Sequence, residues 1–193
     1  MDILNADAIA ELLSAVGDHL SAGGNSASIV TVGGSTLAAR GWVDRVTADV
    51  DVIAQGDWES GRRVLVAPDP LPSALQEAVA RVARDYGLPA NWMNTVVGRQ
   101  WKYGLPSGFA EEVDWVQHGG LEVGYAGRRS LIALKLFAAV DRGPGSVHVQ
   151  DLLVLAPTNE ELSEAAEWVA TQDASEAFKG MIEEVVAYVL ERS

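Results

Sequence analysis

The chain changes its hydrophobic rhythm about two thirds of the way along. Residues 6–20 place Ile9, Leu12, Leu13, Val16 and Leu20 at i, i+3, i+4, i+7 spacing, which predicts an amphipathic helix. Asn5 is positioned to cap it, and Gly23-Gly24-Asn25-Ser26 ends it. Ile29–Val32 is a β-branched apolar run that stops at Gly33-Gly34-Ser35, with a short helical piece over Thr36–Arg40. Val46–Ile53 alternates with period two and predicts a second strand. Residues 63–67 read as a third, and Pro68, Pro70 and Pro72 mark a loop. A helix over Ser73–Tyr86 carries Leu75, Val79, Val82 and Ala83 and stops at Gly87. Residues 88–109, rich in aromatics, Gly and Pro, read as a long loop with one helical turn. Residues 112–117 and 121–125 form a hairpin around His118-Gly119-Gly120.

From there the period is helical throughout. Helices are expected over 128–142, 147–155, from a Thr158/Glu161 capping box to Val169, and from Asp173 or Ser175 to Glu191. This order predicts an α+β fold: a mixed sheet flanked by helices, with a helical C-terminal part. Residues 1–126 would form the α/β core and 127–193 a helical part packed on it as one compact unit.

Composition narrows the function classes. There is no cysteine among the 193 residues, which removes thiolate metal sites, disulfides and cysteine nucleophiles. No apolar run approaches the ~20 residues of a membrane span. Met1–Asn5 lacks the basic start of a signal peptide. A cytoplasmic protein is the expectation. The net charge of −13 argues against generic DNA binding. Acidic residues concentrate after Asp151, whereas most basic residues fall between Arg62 and Arg142.

The candidate chemistry gathers in residues 28–53. Residues i and i+2 of a strand share a face, so Arg45, Thr47, Asp49 and Asp51 would line one side and Val46, Ala48, Val50 and Val52 the other. Two adjacent carboxylates repel unless a cation lies between them, and a hard divalent ion such as Mg2+ suits oxygen ligands. A solvated edge strand would show the same alternation. Gly33-Gly34-Ser35, between strand and helix, allows close approach of a ligand to the backbone and offers free N–H groups to a phosphate; an ordinary strand–helix turn is the plain alternative. Lys135 lies in a nearly all-apolar helix and shares a seven-residue spacing with Arg128 and Arg142, so it is either part of a narrow solvated stripe or buried with a partner. Asp151, opening another apolar run, is one such partner; carboxylates or phosphates of a site are the others. His19, His118 and His148 have no metal-ligand spacing.

Gly33-Gly34-Ser35 followed by Arg45-x-Thr47-x-Asp49-x-Asp51 resembles the signature of the minimal nucleotidyltransferases of the DNA polymerase β superfamily. Lys135 in Ala-Leu-Lys-Leu, with Asp151 in the next helix, is similar to the AbiEii-type (MenT-like) branch. The resemblance spans roughly residues 28–155. It implies Mg2+ and transfer of a nucleotidyl group from a nucleoside triphosphate to an RNA (tRNA) or protein acceptor. A toxin of a toxin–antitoxin or abortive-infection system, with an antitoxin partner, would fit it. By position, Gly33, Gly34, Ser35 and Arg45 would hold the nucleotide, and Asp49 and Asp51 the metal. Lys135 would neutralise phosphate charge, and Asp151 would orient Lys135 or act as a base. A third carboxylate is expected on a later strand; Glu122 is the first candidate and Asp114 the second. The alternative is a nucleotidyltransferase fold without turnover, acting as a nucleotide-binding or protein-interaction module.

Overall fold

A computed structural model describes residues 4–192. Met1–Ile3, on which part of the reading of the N-terminus rests, lie outside the described residues. The chain is mixed α and β and divides into two units, one made of residues 1–102 and 113–126, the other of residues 103–112 and 127–193. Residues 103–112 thus belong with the helical unit, not with the α/β core expected to run unbroken to residue 126. Among the described residues no helix is long and apolar enough to cross a membrane.

The first unit is built on one sheet of β1 (Ala27–Val32), β2 (Val50–Glu59), β3 (Arg62–Val66), β4 (Met93–Asn94), β5 (Asp114–His118) and β6 (Leu121–Tyr125). The strand order is β3-β2-β1-β6-β5, and β4 pairs in parallel with the first two residues of β2. β1 runs antiparallel to β2 and parallel to β6, so the sheet is mixed. Helices α1 (Ala6–Ala22), α2 (Gly33–Ala39) and α3 (Ser73–Asp85) accompany it. Asn5 caps α1 by accepting from the Ala8 N–H at 2.8 Å. The predicted stripe Ile9, Leu12, Leu13, Val16, Leu20 is buried, each side chain contributing roughly 1.5–3 kcal/mol of apolar burial. Gly17 lets α1 cross the β5–β6 turn at backbone contact, where its carbonyl accepts from the Gly120 N–H at 2.9 Å. A Cβ at residue 17 would overlap the His118 carbonyl oxygen.

The largest departure from the sequence pattern is in β2. The expected strand over Val46–Ile53 begins at Val50 and continues to Glu59, where a tight turn through Ser60 and Gly61 leads into β3. Thr47 makes only an isolated bridge to Leu4. The expected loop over 88–109 holds β4 and a 3-10 stretch, Val96–Lys102. Its tryptophans serve as anchors: Trp92 Nε1–H donates to the Val79 carbonyl at 3.2 Å and Trp101 Nε1–H to the Ile53 carbonyl at 2.6 Å.

In the second unit, α4 (Arg128–Arg142), α5 (Val147–Leu155), α6 (Asn159–Ala170) and α7 (Glu176–Leu190) follow the helical periods of the sequence closely. Thr158 and Glu161 form the capping box of α6, and Ser175 caps α7. Leu131, Ile132, Leu136, Leu152, Leu162, Val169, Val185 and Val189 make its core. Phe137 packs edge-on against both Trp168 and Phe178.

Candidate functional site

β1 enters α2 without an intervening turn. Val32 is extended and Gly33, with φ of +77°, is the first helical residue. That left-handed conformation is open to glycine and strained for other residues. The ladder sets Val32 beside Asp51, so the Asp51 carboxylate lies against Gly33. A Cβ on Gly33 would stand 2.5 Å from Asp51 Oδ2. One residue on, a Cβ on Gly34 would stand 3.0 Å from Arg45 Nη2 and 3.0 Å from Thr47 Oγ1. The bare dipeptide Gly33-Gly34 is therefore the floor on which Asp51, Arg45 and Thr47 meet.

This convergence does not arise from a shared strand face. Arg45, Thr47 and Asp49 precede β2, in a segment whose exposure is the reverse of that expected. Val46 and Ala48 face solvent, while Arg45, Thr47 and Asp49 are half-buried. Only Val50 and Val52 enter the core as the alternation predicted. The polar side chains turn inward because the floor beneath them is backbone and a carboxylate rather than apolar surface.

Asp49 is held from a direction that the sequence did not indicate. Asn94, on β4, is the ladder partner of Asp51. Its Nδ2–H donates to Asp49 Oδ2 at 3.2 Å, and its Oδ1 accepts from the Val96 N–H at 3.1 Å. Asn94 belongs to a two-residue strand, too short to show a period, inside a stretch read as loop. The Asp49, Asp51 and Asn94 side chains thus form one polar cluster where β2 begins.

Two sequence-nominated residues behave differently. Ser35 is buried, and its hydroxyl donates back to the Val32 carbonyl at 3.3 Å, closing the first turn of α2 instead of pointing outward. Glu122 does not join Asp49 and Asp51. It pairs with Ser28 in the β1–β6 ladder, four residues along β1 from the Val32–Asp51 pair. That is a separation of about 13 Å along the strand. Arg63 Nη2 donates to both Glu122 oxygens at 2.6 and 2.8 Å, and the Ser28 hydroxyl donates to Oε2 at 3.0 Å. The Arg63 guanidinium is stacked on Trp115 at 3.9 Å and on Trp58 at 5.1 Å. Glu122 is the counter-ion of a sheet-face ion pair, which corrects its expected place as a metal ligand. Asp114 is exposed, lies on the edge strand β5 and pairs with Arg40 at 2.5 Å.

Lys135 and Asp151 pair with each other within the second unit. Lys135 Nζ donates to Asp151 Oδ2 at 2.6 Å, with 7% and 1% of the two side chains exposed. The stripe Arg128, Lys135, Arg142 is not a common solvated face. Arg142 is exposed, and Arg128 donates through Nε to Glu161 Oε1 at 2.8 Å and through Nη2 to the Leu155 carbonyl at 2.8 Å. Burial raises the Glu161 carboxyl, but the Arg128 and Thr158 N–H hydrogen bonds outweigh it and hold the group below its ordinary value. His118 Nδ1 lies 3.2 Å from the Ser14 hydroxyl, and burial pushes its ring pKa down. His19 lies 3.8 Å from Asp85.

Among the described residues no group of three or more His, Cys, Asp or Glu gathers in a metal-binding arrangement. The donor set at the start of β2 is two carboxylates with a neutral amide beside them. That set fits Mg2+ in one particular way, since this ion is commonly held by one or two carboxylates with phosphate oxygens and water completing its shell. Two clefts of about 500 Å3 in the first unit, one between α1 and α3 and one beside Trp58 and Glu122, have none of this cluster in their walls. Comparison with known proteins finds no matching family model, no matching curated protein and no matching solved structure.

Proposed function

We propose that the cluster over Gly33-Gly34 is a Mg2+–nucleoside triphosphate site and that the protein is a nucleotidyltransferase acting on an RNA (tRNA) or protein acceptor. The observation that carries this reading is the convergence of Asp51, Arg45 and Thr47 on two adjacent glycines that a Cβ would fill. A triphosphate needs backbone that it can approach closely, a cationic side chain and carboxylates that could hold a metal, and Gly33-Gly34, Arg45 and Asp51 are residues of these kinds set side by side. Asp49 and Asp51 would hold Mg2+ jointly with phosphate oxygens, and Arg45 would face phosphate charge. The bound ion supplies Lewis-acid polarisation of the phosphoryl group. The rest falls to the chain: Gly33 and Gly34 admit the phosphates, Arg45 and Thr47 orient them, and Asn94 keeps the Asp49 carboxylate in place. A toxin of a toxin–antitoxin or abortive-infection system, working in the cytoplasm, is the setting this reading suggests.

The test is direct. The protein should bind Mg2+–NTP in calorimetry and transfer label from an α-32P-labelled NTP to tRNA or to a co-purified protein. Asp49→Asn and Asp51→Asn should abolish both. If no NTP binds and neither substitution alters any activity, the reading fails.

A second reading has its own observation. The residue beside Asp51 in the ladder is the neutral Asn94, and Glu122 is committed to Arg63. With two carboxylates where three would be expected, the site suits a nucleotide-binding module without turnover. Tight Mg2+–NTP binding with no product across an acceptor screen would select it.

A further inference from the structure

We infer that the cleft beside Trp58 and Glu122 is a binding site for an alkylammonium group, the chemistry shared by a small aliphatic amine and a lysine side chain. The inference does not rest on the nucleotide reading: none of Gly33, Gly34, Arg45, Asp49 or Asp51 lines this cleft.

The cleft, of about 500 Å3, opens where β1 begins, and its walls lie wholly within the first unit. Its polar groups are prepared in one sense. Gln55 Nε2 donates to the Ala67 and Pro70 carbonyls, both at 3.1 Å. Gln117 Nε2 donates to the Gly119 and Leu121 carbonyls at 2.6 and 3.2 Å. A side-chain amide has two N–H hydrogens and one oxygen. Both glutamines therefore use their donors on backbone and have only acceptor oxygens left for a ligand. The Ser28 hydroxyl hydrogen is likewise used, on Glu122.

The charge runs the same way. Glu122 is answered by Arg63, whose Nη2 donates to both carboxylate oxygens, so that pair adds no net charge. Asp57 is exposed and accepts the Trp58 backbone N–H at 2.8 Å, with no ion-pair partner among the described residues. No Lys, Arg or His among the described residues lines the cleft. One negative charge, that of Asp57, is left in its wall.

Beside Asp57 stands an apolar surface made of Trp58, which is 62% exposed, with Val66 and Pro72. The indole is held in advance of any ligand. Arg63 lies 5.1 Å from the Trp58 ring and 3.9 Å from that of Trp115. Trp115 in turn lies over Gly56 and Gly124, where a Cβ would stand 3.0 and 2.9 Å from its ring. An ammonium head donates to Asp57 and the amide oxygens, and its methylene stem covers the apolar surface. A phosphate or carboxylate would meet acceptors and like charge instead.

Calorimetry of the full chain with cadaverine, with Nα-acetyl-lysine amide and with the diol analogue of cadaverine tests this. Both amines should bind and the diol should not. Asp57→Asn and Trp58→Ala should each weaken amine binding about three- to fivefold. Glu183→Gln, which removes the same charge from an exposed position on α7, should leave it unchanged. Circular dichroism checks that each variant is folded. Tighter binding of cadaverine marks a free amine as the ligand, and tighter binding of the lysine derivative marks a partner chain; either order supports the site. No binding of either amine would overturn the inference. So would equal binding of the diol, or amine binding that Glu183→Gln weakens as much as Asp57→Asn does, since the attraction would then be that of the acidic chain as a whole.

Discussion

The cluster at the start of β2 and the Lys135–Asp151 pair of the helical unit are made of similar charged groups under opposite conditions. Lys135 and Asp151 are almost wholly buried, 2.6 Å apart, and each answers the other's charge. Asp49 and Asp51 are half-buried; the neutral amide of Asn94, the β4 partner of Asp51, donates to Asp49, and Arg45 lies over the adjoining Gly34. The first arrangement is a closed account of charge: taking ions out of water is costly, and only a close partner offsets it. The second keeps partial contact with water, so its charge is not locked into a buried pair. A charged residue in an apolar context marks a partner or a ligand, and the degree of burial tells which.

The contrast can be broken most forcefully at the buried pair. Lys135→Met or Asp151→Leu alone should destabilise the protein by about 3–5 kcal/mol, because each leaves a buried charge without its ion-pair partner in the helical unit. The double substitution should recover most of that loss. Urea unfolding of the three variants measures it, and single variants near wild-type stability would show that the pair is not closed.

Gly33→Ala tests the floor of the cluster. Forcing φ of +77° on alanine costs about 1–2 kcal/mol, and the new Cβ meets Asp51 Oδ2. Stability should fall by at least this amount, and Mn2+ affinity should fall with it as Asp51 is pushed aside. Retained affinity in the destabilised variant would separate the floor from the ion.

Asp49→Asn and Asp51→Asn should cost less stability than breaking the buried pair, because both carboxylates keep partial contact with water. Ion binding should nevertheless be lost. A large loss of stability in either would place these carboxylates with the buried pair, as structural elements.

The smallest effect is in acid. Glu161 has a folded pKa held below its ordinary 4.5, so its contribution is fully present above that value and is lost as pH falls through the lower, folded one. Glu161→Gln should lower stability at neutral pH and flatten its decline below about pH 4.5, followed by circular dichroism. His118 acts in the same direction at higher pH. Its folded pKa lies below 6.5, so stability falls as pH drops below 6.5, and His118→Gln should remove that slope.

The helical unit was legible in detail because its signals are local. Capping residues Thr158, Glu161 and Ser175 and the apolar period of α4 lie within a few residues of the structure they specify. The candidate site was legible as a set of residues but not as a geometry. Gly33, Gly34, Arg45, Thr47, Asp49 and Asp51 do come together, yet from a segment that precedes the strand thought to carry them. Asn94 gave no signal, since two residues of strand have no periodicity. Glu122 was misplaced because a residue's spacing from a turn does not reveal which end of a neighbouring strand it will meet.

Sequence by itself determined the α+β order, the helix boundaries of the second unit and the apolar stripe of α1. These follow from periodicities and caps that act over a few residues. Only the tertiary structure decided that Val46 and Ala48 face outward, that Asp51 lies on Gly33, that Asn94 tethers Asp49 and that Arg63 claims Glu122. Each of these depends on the register between strands distant in sequence. Register is chosen by burial of the whole sheet, with Val50 and Val52 in the core, and the polar side chains near the start of β2 take the positions which that choice leaves them.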